Sequence, residues 1–451
     1  MGERSEADVC VIGAGYAGLT AALRLQQAGQ TAVVLEARDR VGGRVWTHLL
    51  PDGSPVDRGA GWLAPYHDAA LALAAELGVS TYKTWVKGKH LLVDGDRVRR
   101  YTGLIPKISP LAVASIALAQ LRIDRRAKKV PIDAPWDAPR AAEWDADTVA
   151  EFLQRTGIRS QIGRDLFEMA VRGLFTGDLA DTSYLHLLYL VRAHRSINNL
   201  FAIEGGSQEN LVVGGAGAMA VRMAEELGDA VRLRAPVRRI AQHDDRVVVD
   251  ADGATVTARH AIVTTPPALA LEIAFDPVLP ADRLELYRKA VAGPESKTLV
   301  VYDEPFWRTD GFSGQSARPH SASEVTLDAS PADGTPGVLA SFAFGAVATR
   351  FDALDADARR RAVVDELTLR FGPRAATPVD VIDTAWWQEE WTRGCSMAHL
   401  PPGVLSRLGH LLREPFGRVH WAGTETSTVS HGAIDGAIRS GARAASEVLT
   451  R

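Results

Sequence analysis

Hydrophobic and polar positions follow a regular order in the first forty residues. An all-apolar run over residues 9–12 is typical of a central parallel strand that is buried on both faces. Residues 19–28 then have helical spacing, and Gly29 follows them as a residue that favours a helix end. A second apolar run covers residues 31–35 and is followed by Glu36. This pattern predicts a strand–helix–strand unit.

Farther along the chain, the pattern changes from helical to strand-like. Residues 110–198 have apolar positions three to four residues apart, which predicts helices. Residues 231–240 and 247–256 alternate as strands do, with a hairpin turn at Asp252 and Gly253 inside the second run. We expect another buried strand over 261–264, a second sheet that includes 298–301 and 337–344, and a helix over 358–371. A strand that begins at residue 419 and a helix over 434–449 complete the prediction.

Strand–helix pieces of this kind thus lie at both ends of the chain and in its middle. They predict an α/β fold with one discontinuous Rossmann-like domain and a second domain, inserted twice, that combines a mixed β-sheet with helices. We predict that the first domain comprises residues 1–85, 205–290 and 395–451, and the second domain residues 86–204 and 291–394.

The turn after the first strand gives the clearest indication of function. Gly13, Gly15 and Gly18 allow a tight turn against a pyrophosphate, and the helix that follows presents free N–H groups to the phosphate charge. Glu36 closes the second strand, where a carboxylate accepts hydrogen bonds from ribose hydroxyls. These features predict a dinucleotide site. In the turn at residues 40–44, two arginines flank a Gly-Gly pair and are expected to reach the same pyrophosphate. A second glycine-rich loop, with Gly61 and Trp62, allows backbone to approach a flat ring.

Composition limits the alternatives. The chain has 451 residues, of which 46% are apolar and 24% charged, as is usual in globular proteins. A net charge of −4 gives no reason to expect a nucleic acid partner. Cys10 and Cys395 are the two cysteines, too few for a disulfide framework or a thiolate metal centre, and no metal site is predicted. The longest apolar run, residues 111–121, is about half of a bilayer span, so we expect no transmembrane anchor and a cytoplasmic location.

Six ordered motifs extend this picture over the whole chain. They are VIGAGYAGL with Glu36, RVGGR (40–44), GGSQENLVVGGAGAMA (205–220), SKTLVVYDEPFW (296–307), EEWTRGCSMAHLPPGV (389–404) and HWAGTETSTVSHGAIDGAIRSGARAA (420–445). With these motifs, the chain resembles the flavin-containing amine oxidase family, on its monoamine oxidase side. The resemblance implies an FAD-binding Rossmann-like domain beside a substrate domain. It also implies that a small-molecule amine gives a hydride to flavin N5 and becomes an imine, while molecular oxygen is reduced to hydrogen peroxide. A homodimer is common in the family.

The resemblance also assigns roles to individual positions. It implies that the following residues hold FAD: Gly13, Gly15, Gly18, Glu36, Arg38, Gly43, Arg44, Gly61, Trp62, Val237, Gly423, Glu425 and Ile434. Cys395 matches the cysteine that forms a thioether to the flavin methyl group, and the alternative is a free thiol beside non-covalent FAD. Lys297 matches the lysine that holds a water against flavin N5, and Gln208 matches a residue that lines the substrate path.

The chain departs from the family where monoamine oxidases place two tyrosine rings before the flavin. The matching positions here are Ser396 and Ala433. One interpretation is a roomier cage in which other rings replace the tyrosines, the candidates being Trp387, Trp391, His399 and His431. A histidine there could also add hydrogen bonding or acid–base help. The alternatives are a bulkier amine or amino-alcohol, a non-amine substrate that is dehydrogenated at a C–C or C–O bond, and a non-catalytic FAD-binding protein.

Overall fold

A computed structural model describes residues 3–450, apart from residues 96, 105 and 107. The N-terminal part contains β1 (Glu3–Ile12), α1 (Tyr16–Gln27), β2 (Ala32–Leu35), β3 (Thr47–Leu49), β4 (Pro55–Asp57), β5 (Trp62–Leu63), α2 (Asp68–Glu76), β6 (Thr81–Lys83), β7 (Lys89–Asp94) and β8 (Arg97–Tyr101). Helices follow in a continuous series: α3 (Pro110–Ala127), α4 (Ala141–Ala146), α5 (Val149–Thr156), α6 (Gln161–Phe175), α7 (Tyr184–Ala193) and α8 (Ile197–Phe201).

Strands return after residue 209. The middle of the chain contains β9 (Asn210–Val212), α9 (Gly217–Leu227), β10 (Val231–Arg232), β11 (Val237–Gln242), β12 (Val247–Ala251), β13 (Ala254–Val263), α10 (Pro267–Ala270), β14 (Ala274–Asp276) and α11 (Ala281–Lys289). It continues with β15 (Val291–Gly293), β16 (Glu295–Tyr302), α12 (Phe306–Thr309), β17 (Phe312–Ala317), β18 (Val325–Asp328), β19 (Gly337–Phe344), α13 (Ala346–Asp352), α14 (Ala356–Phe371), β20 (Asp380–Ala385) and β21 (Cys395–His399). The last elements are α15 (Leu405–Leu408), β22 (Val419–Trp421) and α16 (Ile434–Leu449).

An eight-stranded sheet has the order β10-β2-β1-β13-β12-β11-β14, and β22 pairs with β13 outside this path. Strand β1 lies in its middle, parallel to both β2 and β13. Residues 9–12 of β1 are buried, as the all-apolar run requires. The predicted strand–helix–strand unit is therefore confirmed, and α16 has the bounds that the pattern predicted.

Two strand predictions in this sheet are wrong in detail. Residues 231–240 were expected to form one strand, but they divide into β10, which pairs with β2, and β11, which pairs with β12. Arg234, with φ 55°, and Pro236 separate the two strands because neither fits the middle of a ladder. Residues 261–264 form no strand of their own, since residues 261–263 are the end of the long strand β13. The turn at Asp252 and Gly253 joins β12 to β13 as predicted.

A second, seven-stranded sheet has the order β20-β16-β19-β18-β17-β7-β8. Strand β16 is buried over its whole length and pairs antiparallel with β19 and β20. The predicted second sheet is thus confirmed. Because side chains alternate along a strand, Glu295 and Lys297 of β16 point to the same face. That face meets the cavities described below.

The helices α3 to α8 confirm the helical prediction for residues 110–198, and their buried residues join those of the first sheet in the largest hydrophobic core. Ser109 begins α3, where its hydroxyl accepts a hydrogen bond from the Ala112 N–H at 3.2 Å. Among the described residues, no helix has both the length and the apolar character needed to cross a bilayer. The predicted domain boundaries stay a prediction.

Candidate active site

Two cavities meet in the interior of the molecule. The larger has a volume of about 440 Å³ and the smaller about 170 Å³. They share a wall that is formed by Ala60, Cys395, Ser396, Gly432, Ala433 and Ile434. The smaller cavity extends along the glycine-rich turn after β1, and the larger cavity extends between the second sheet and helices α3 and α6.

Glycines form one side of the smaller cavity because side chains have no room there. Gly13 has φ +103°, and a Cβ atom on Gly18 would lie 1.9 Å from the Gly13 carbonyl oxygen. Gly15 is the N-cap of α1 and supplies no side-chain cap, so the first N–H groups of the helix are available to an anion. A backbone turn of this kind fits a diphosphate group.

Glu36 lies at the end of β2 and is buried. Its Oε2 accepts a hydrogen bond from the Ala14 N–H at 2.7 Å, and its Oε1 accepts one from the Arg38 N–H at 2.9 Å. A carboxylate has about four acceptor positions, so two remain for ribose hydroxyls. Glu36 is thus held by two backbone N–H groups on the lining of the smaller cavity, where its predicted contact with a ribose stays a prediction.

Arg44 lines the smaller cavity and forms a two-pronged ion pair with Glu425. The two N–O distances are 2.6 Å and 3.0 Å, and a third hydrogen bond runs from Arg44 to the Ser396 carbonyl oxygen at 2.7 Å. Burial acts to raise the pKa of Glu425, but the Arg44 charge and hydrogen bonds hold it below its usual value. The pair thus ties the turn at residues 40–44 to the segment at residues 395–396 and to the loop before α16.

The two arginines of the turn at residues 40–44 do not act together, which corrects the prediction that both reach the pyrophosphate. Arg40 lines neither cavity, and its guanidinium lies 4.6 Å from the ring centre of Trp46. Arg38 does line the smaller cavity, where it is paired with Glu389 at 2.8 Å. Of the arginines near this turn, Arg38 and Arg44 line the smaller cavity.

The remaining cofactor candidates fall on both cavities. Gly43, Val237 and Gly423 line the smaller cavity, whereas Gly61 and Trp62 line the larger one. Ile434 belongs to the shared wall at the first turn of α16. With the glycine turn for a diphosphate and Glu36 for a ribose, the donor set fits FAD.

Lys297 is the most deeply buried ammonium group on the larger cavity. It is 2% exposed, and its Nζ donates to the carbonyl oxygens of Asp57 at 2.6 Å and Gly59 at 2.8 Å. Burial lowers the pKa of Lys297 to about 8, although the neighbouring carboxyl groups of Asp57 and Glu295 act to raise it. Lys297 is thus held by two backbone carbonyls on the lining of the larger cavity, and its predicted role toward the flavin stays a prediction.

The substrate cage differs from the one expected from sequence. Ser396 and Ala433 lie on the shared wall, and His431 and Gln208 line the larger cavity as predicted. Trp387, Trp391 and His399 do not line it, which corrects those three assignments. Trp387 donates to Asp352 at 2.6 Å, Trp391 lines the smaller cavity, and His399 packs against Gly177. Besides Trp62, the larger cavity is lined by the indole of Trp386, which donates a hydrogen bond to the Arg58 carbonyl oxygen at 3.1 Å.

A chain of hydrogen bonds determines the protonation state of His431. The Leu400 N–H donates to Nδ1 of His186 at 3.0 Å, so a neutral His186 carries its proton on Nε2. That nitrogen lies 3.3 Å from Nε2 of His431, whose Nδ1 lies 3.2 Å from the Ser427 carbonyl oxygen. Burial, the largest cause, lowers the pKa of both histidines, so both are neutral at pH 7. Both ring nitrogens of His431, which lines the larger cavity, are therefore engaged within the protein.

We therefore expect His431→Phe to slow anaerobic reduction by substrate less than about 10-fold, because the flat ring is kept. Loss of an acid–base group would cost roughly 100- to 10,000-fold. The measurement is the rate constant of bleaching in stopped-flow experiments, with His431→Ala as the matched variant that removes the ring. A 1,000-fold loss in the phenylalanine variant would show that His431 moves a proton.

Sequence reasoning missed several groups on the larger cavity. His67 and His194 are buried on its lining, and Nε2 of the first and Nδ1 of the second have no hydrogen-bond partner among the described residues. Glu295 lines the same cavity two residues before Lys297. The alternation of β16 was the signal for Glu295, because it places that carboxyl on the face that carries Lys297. The histidines come together only through the fold.

Comparisons with known proteins identify the family of this chain. Residues 16–449 match the family described as flavin containing amine oxidoreductase. A protein of Mycobacterium tuberculosis that is named as a flavin-containing monoamine oxidase, AofH, is 40% identical over 441 residues, which cover 98% of this chain and 96% of that protein. Flavin-containing amine oxidase A of Canis lupus familiaris is 32% identical over 450 residues and is covered over 85% of its length.

Solved structures extend the similarity to the fold. Wild-type putrescine oxidase bound to putrescine has a TM-score of 0.95 and 30% identity, with complete coverage of both chains. Cyclohexylamine oxidase from Brevibacterium oxydans IH-35A has a TM-score of 0.94 and 32% identity over 99% of this chain and 100% of that one. The predicted fold class, the FAD cofactor and the amine oxidase activity are thereby confirmed. The chain belongs to the flavin-containing amine oxidoreductase family and is an FAD-dependent amine oxidase.

Proposed function

We propose that this enzyme oxidises a neutral, mainly apolar monoamine that occupies the larger cavity. The observation that carries the proposal is the lining of that cavity, where side chains such as Leu166, Phe167, Met169, Leu200, Phe342 and Phe344 surround about 440 Å³. When bound, FAD supplies the acceptor for a hydride from the amine α-carbon. The apolar wall excludes water and favours the uncharged amine, since burial disfavours an ammonium group.

The residues of the shared wall determine how much space the reacting end of the substrate has. Ser396 and Ala433 are small, so the aromatic surface comes from His431 and Trp386 rather than from two tyrosines. This arrangement supports a roomier cage, a bulkier amine, or both. The relatives named as amine oxidases weigh against a non-amine substrate and against a non-catalytic role.

Charge on the cavity lining favours a monoamine over a diamine. The carboxyl of Glu295 faces Lys297 and the Cys395 thiol, so it is not free to pair with a second ammonium group. Putrescine oxidase acts on a diamine, whereas cyclohexylamine oxidase is named for a cyclic monoamine. We therefore assign this chain a substrate closer in character to cyclohexylamine.

Three finer properties belong to the same proposal. Lys297 promotes reoxidation by molecular oxygen, which leaves as hydrogen peroxide. Cys395 forms the thioether to FAD, supported by the position of this residue on the shared wall. The cytoplasmic location and the homodimer stay predictions.

Butylamine and putrescine test the substrate class, because they have the same carbon chain and differ by one amino group. An unpaired buried ammonium costs several kcal/mol, so we expect kcat/KM for butylamine to exceed that for putrescine by about 100-fold. Cyclohexylamine serves as the bulky monoamine in the same assay. A preference for putrescine would overturn the assignment.

A further inference from the structure

A buried carboxyl group lies beside the cysteine on the shared wall. Glu295 is 8% exposed and begins strand β16, and its carboxyl lies near the thiol of Cys395. The backbone holds the two together, because Cys395 pairs with Gly293 of β15, just before β16. Both side chains line the larger cavity.

Burying the Glu295 carboxyl costs free energy that an apolar side chain at this position would not cost. A buried acid loses its hydration, and a thiol is a weak partner for it. Burial raises the pKa of Glu295 to about 7, with Lys297 acting to lower it. Burial and the Glu295 charge raise the pKa of the Cys395 thiol, while Arg44 and Lys297 act to lower it. A thiol in this environment is inert unless a base removes its proton, since the thiolate is the nucleophile.

The spacing of Glu295 and Lys297 along β16 fits two different points on a flavin ring system. Side chains two residues apart on a strand are about 7 Å apart, so Lys297 and Glu295 meet a flat ligand at different points. If Lys297 faces flavin N5, as proposed above, Glu295 and Cys395 lie toward another part of the same ring.

We propose that Glu295 accepts the proton of the Cys395 thiol and thereby drives attachment of this cysteine to the flavin methyl group. This inference rests on the proposed thioether. The reaction breaks the S–H bond of Cys395 and one C–H bond of the methyl group, and it joins sulfur to that carbon. Two electrons and two protons remain on the flavin, and dioxygen removes them as it is reduced to hydrogen peroxide.

The test compares Glu295→Gln with the wild type, both purified as FAD-bound protein. The fraction of flavin that stays with the polypeptide after acid denaturation is followed over time and checked by intact mass. We expect attachment to be about 100-fold slower in Glu295→Gln, as loss of a proton-transfer group requires. Raising the pH from 7 to 9 should speed attachment in that variant, because hydroxide then takes the thiol proton. Glu295→Asp keeps a carboxyl and should attach FAD at an intermediate rate.

Two controls separate a chemical role from a structural one. Asp352→Asn changes another carboxyl near β16, one that contacts Ser296 and Trp387 instead of Cys395, and should attach FAD as the wild type does. Cys395→Ala should attach none. Equal attachment rates in the wild type and Glu295→Gln, or acid-released FAD from the wild type, would overturn the proposal. Bleaching of the bound flavin by an amine in the same preparations tests the oxidase function separately.

Discussion

Replacing Lys297 with methionine is expected to slow reoxidation of the reduced enzyme by dioxygen about 100-fold. Negative charge develops on oxygen as it accepts electrons, and a buried ammonium stabilises that charge strongly because no solvent screens it. The rate constant for anaerobic reduction by the amine should change far less. Stopped-flow measurement of the two half-reactions separates these effects.

The pH dependence follows from the pKa of Lys297, which burial lowers to about 8. The ammonium is present below that pH and is lost as the pH rises through it, so the wild-type reoxidation rate should fall above about pH 8. The methionine variant should lack this fall. Lys83→Met, at an exposed lysine paired with Glu209, is the matched control and should reoxidise normally. Unchanged reoxidation in Lys297→Met would remove Lys297 from the oxygen reaction.

Replacing Arg44 with methionine is expected to lower the free energy of unfolding by about 3–5 kcal/mol and to reduce FAD retention. The loss is large because Glu425 is 5% exposed and would keep a buried charge without its partner. Chemical denaturation and the flavin-to-protein ratio measure the two effects. Arg24→Met is the matched control, since Arg24 forms a similar two-pronged pair with Glu76 at 2.6 Å and 2.7 Å on the surface. That variant should lose only about 0–1 kcal/mol.

The loss of unfolding free energy in Arg44→Met should also depend on pH. In the wild type, the depressed pKa of Glu425 stabilises the fold above the ordinary value of 4.5, and this contribution disappears as the pH falls through the folded-state pKa. Without Arg44, burial would raise that pKa instead, so the unpaired charge is costly at neutral pH and is removed by protonation in acid. The difference between wild type and Arg44→Met should therefore shrink below about pH 4.5. A pH-independent difference would mean that lost packing, rather than charge, is its cause.

Local rules were enough to predict the cofactor side of this molecule. The strand, the turn with Gly13 and Gly18, the helix and Glu36 are consecutive in sequence, so one stretch of chain contains the glycine turn and the acidic residue of the predicted dinucleotide site. Helix α16 was equally clear, because its apolar positions keep one period from end to end. The two strands between residues 231 and 242 were merged because alternation alone does not reveal a left-handed residue such as Arg234.

The substrate side depends on contacts between distant segments. His186 and His431 are 245 residues apart in sequence, and only the packing of α7 against the loop before α16 brings them together. Trp387 was chosen where Trp386 is the residue on the cavity, a one-residue error that reverses the direction of a side chain next to a strand. Neither feature leaves a pattern in a single sequence.

The most direct test of the assigned activity is an anaerobic titration of the purified FAD-bound protein with butylamine and cyclohexylamine, followed by its visible spectrum. Loss of the oxidised flavin band near ~450 nm, with one equivalent of imine or carbonyl product per flavin, is the expected result. Oxygen is absent, so this outcome does not depend on Lys297 or on the natural electron acceptor. An oxidised band that survives a broad panel of primary, secondary, aryl and polyamines would contradict amine oxidation at this site.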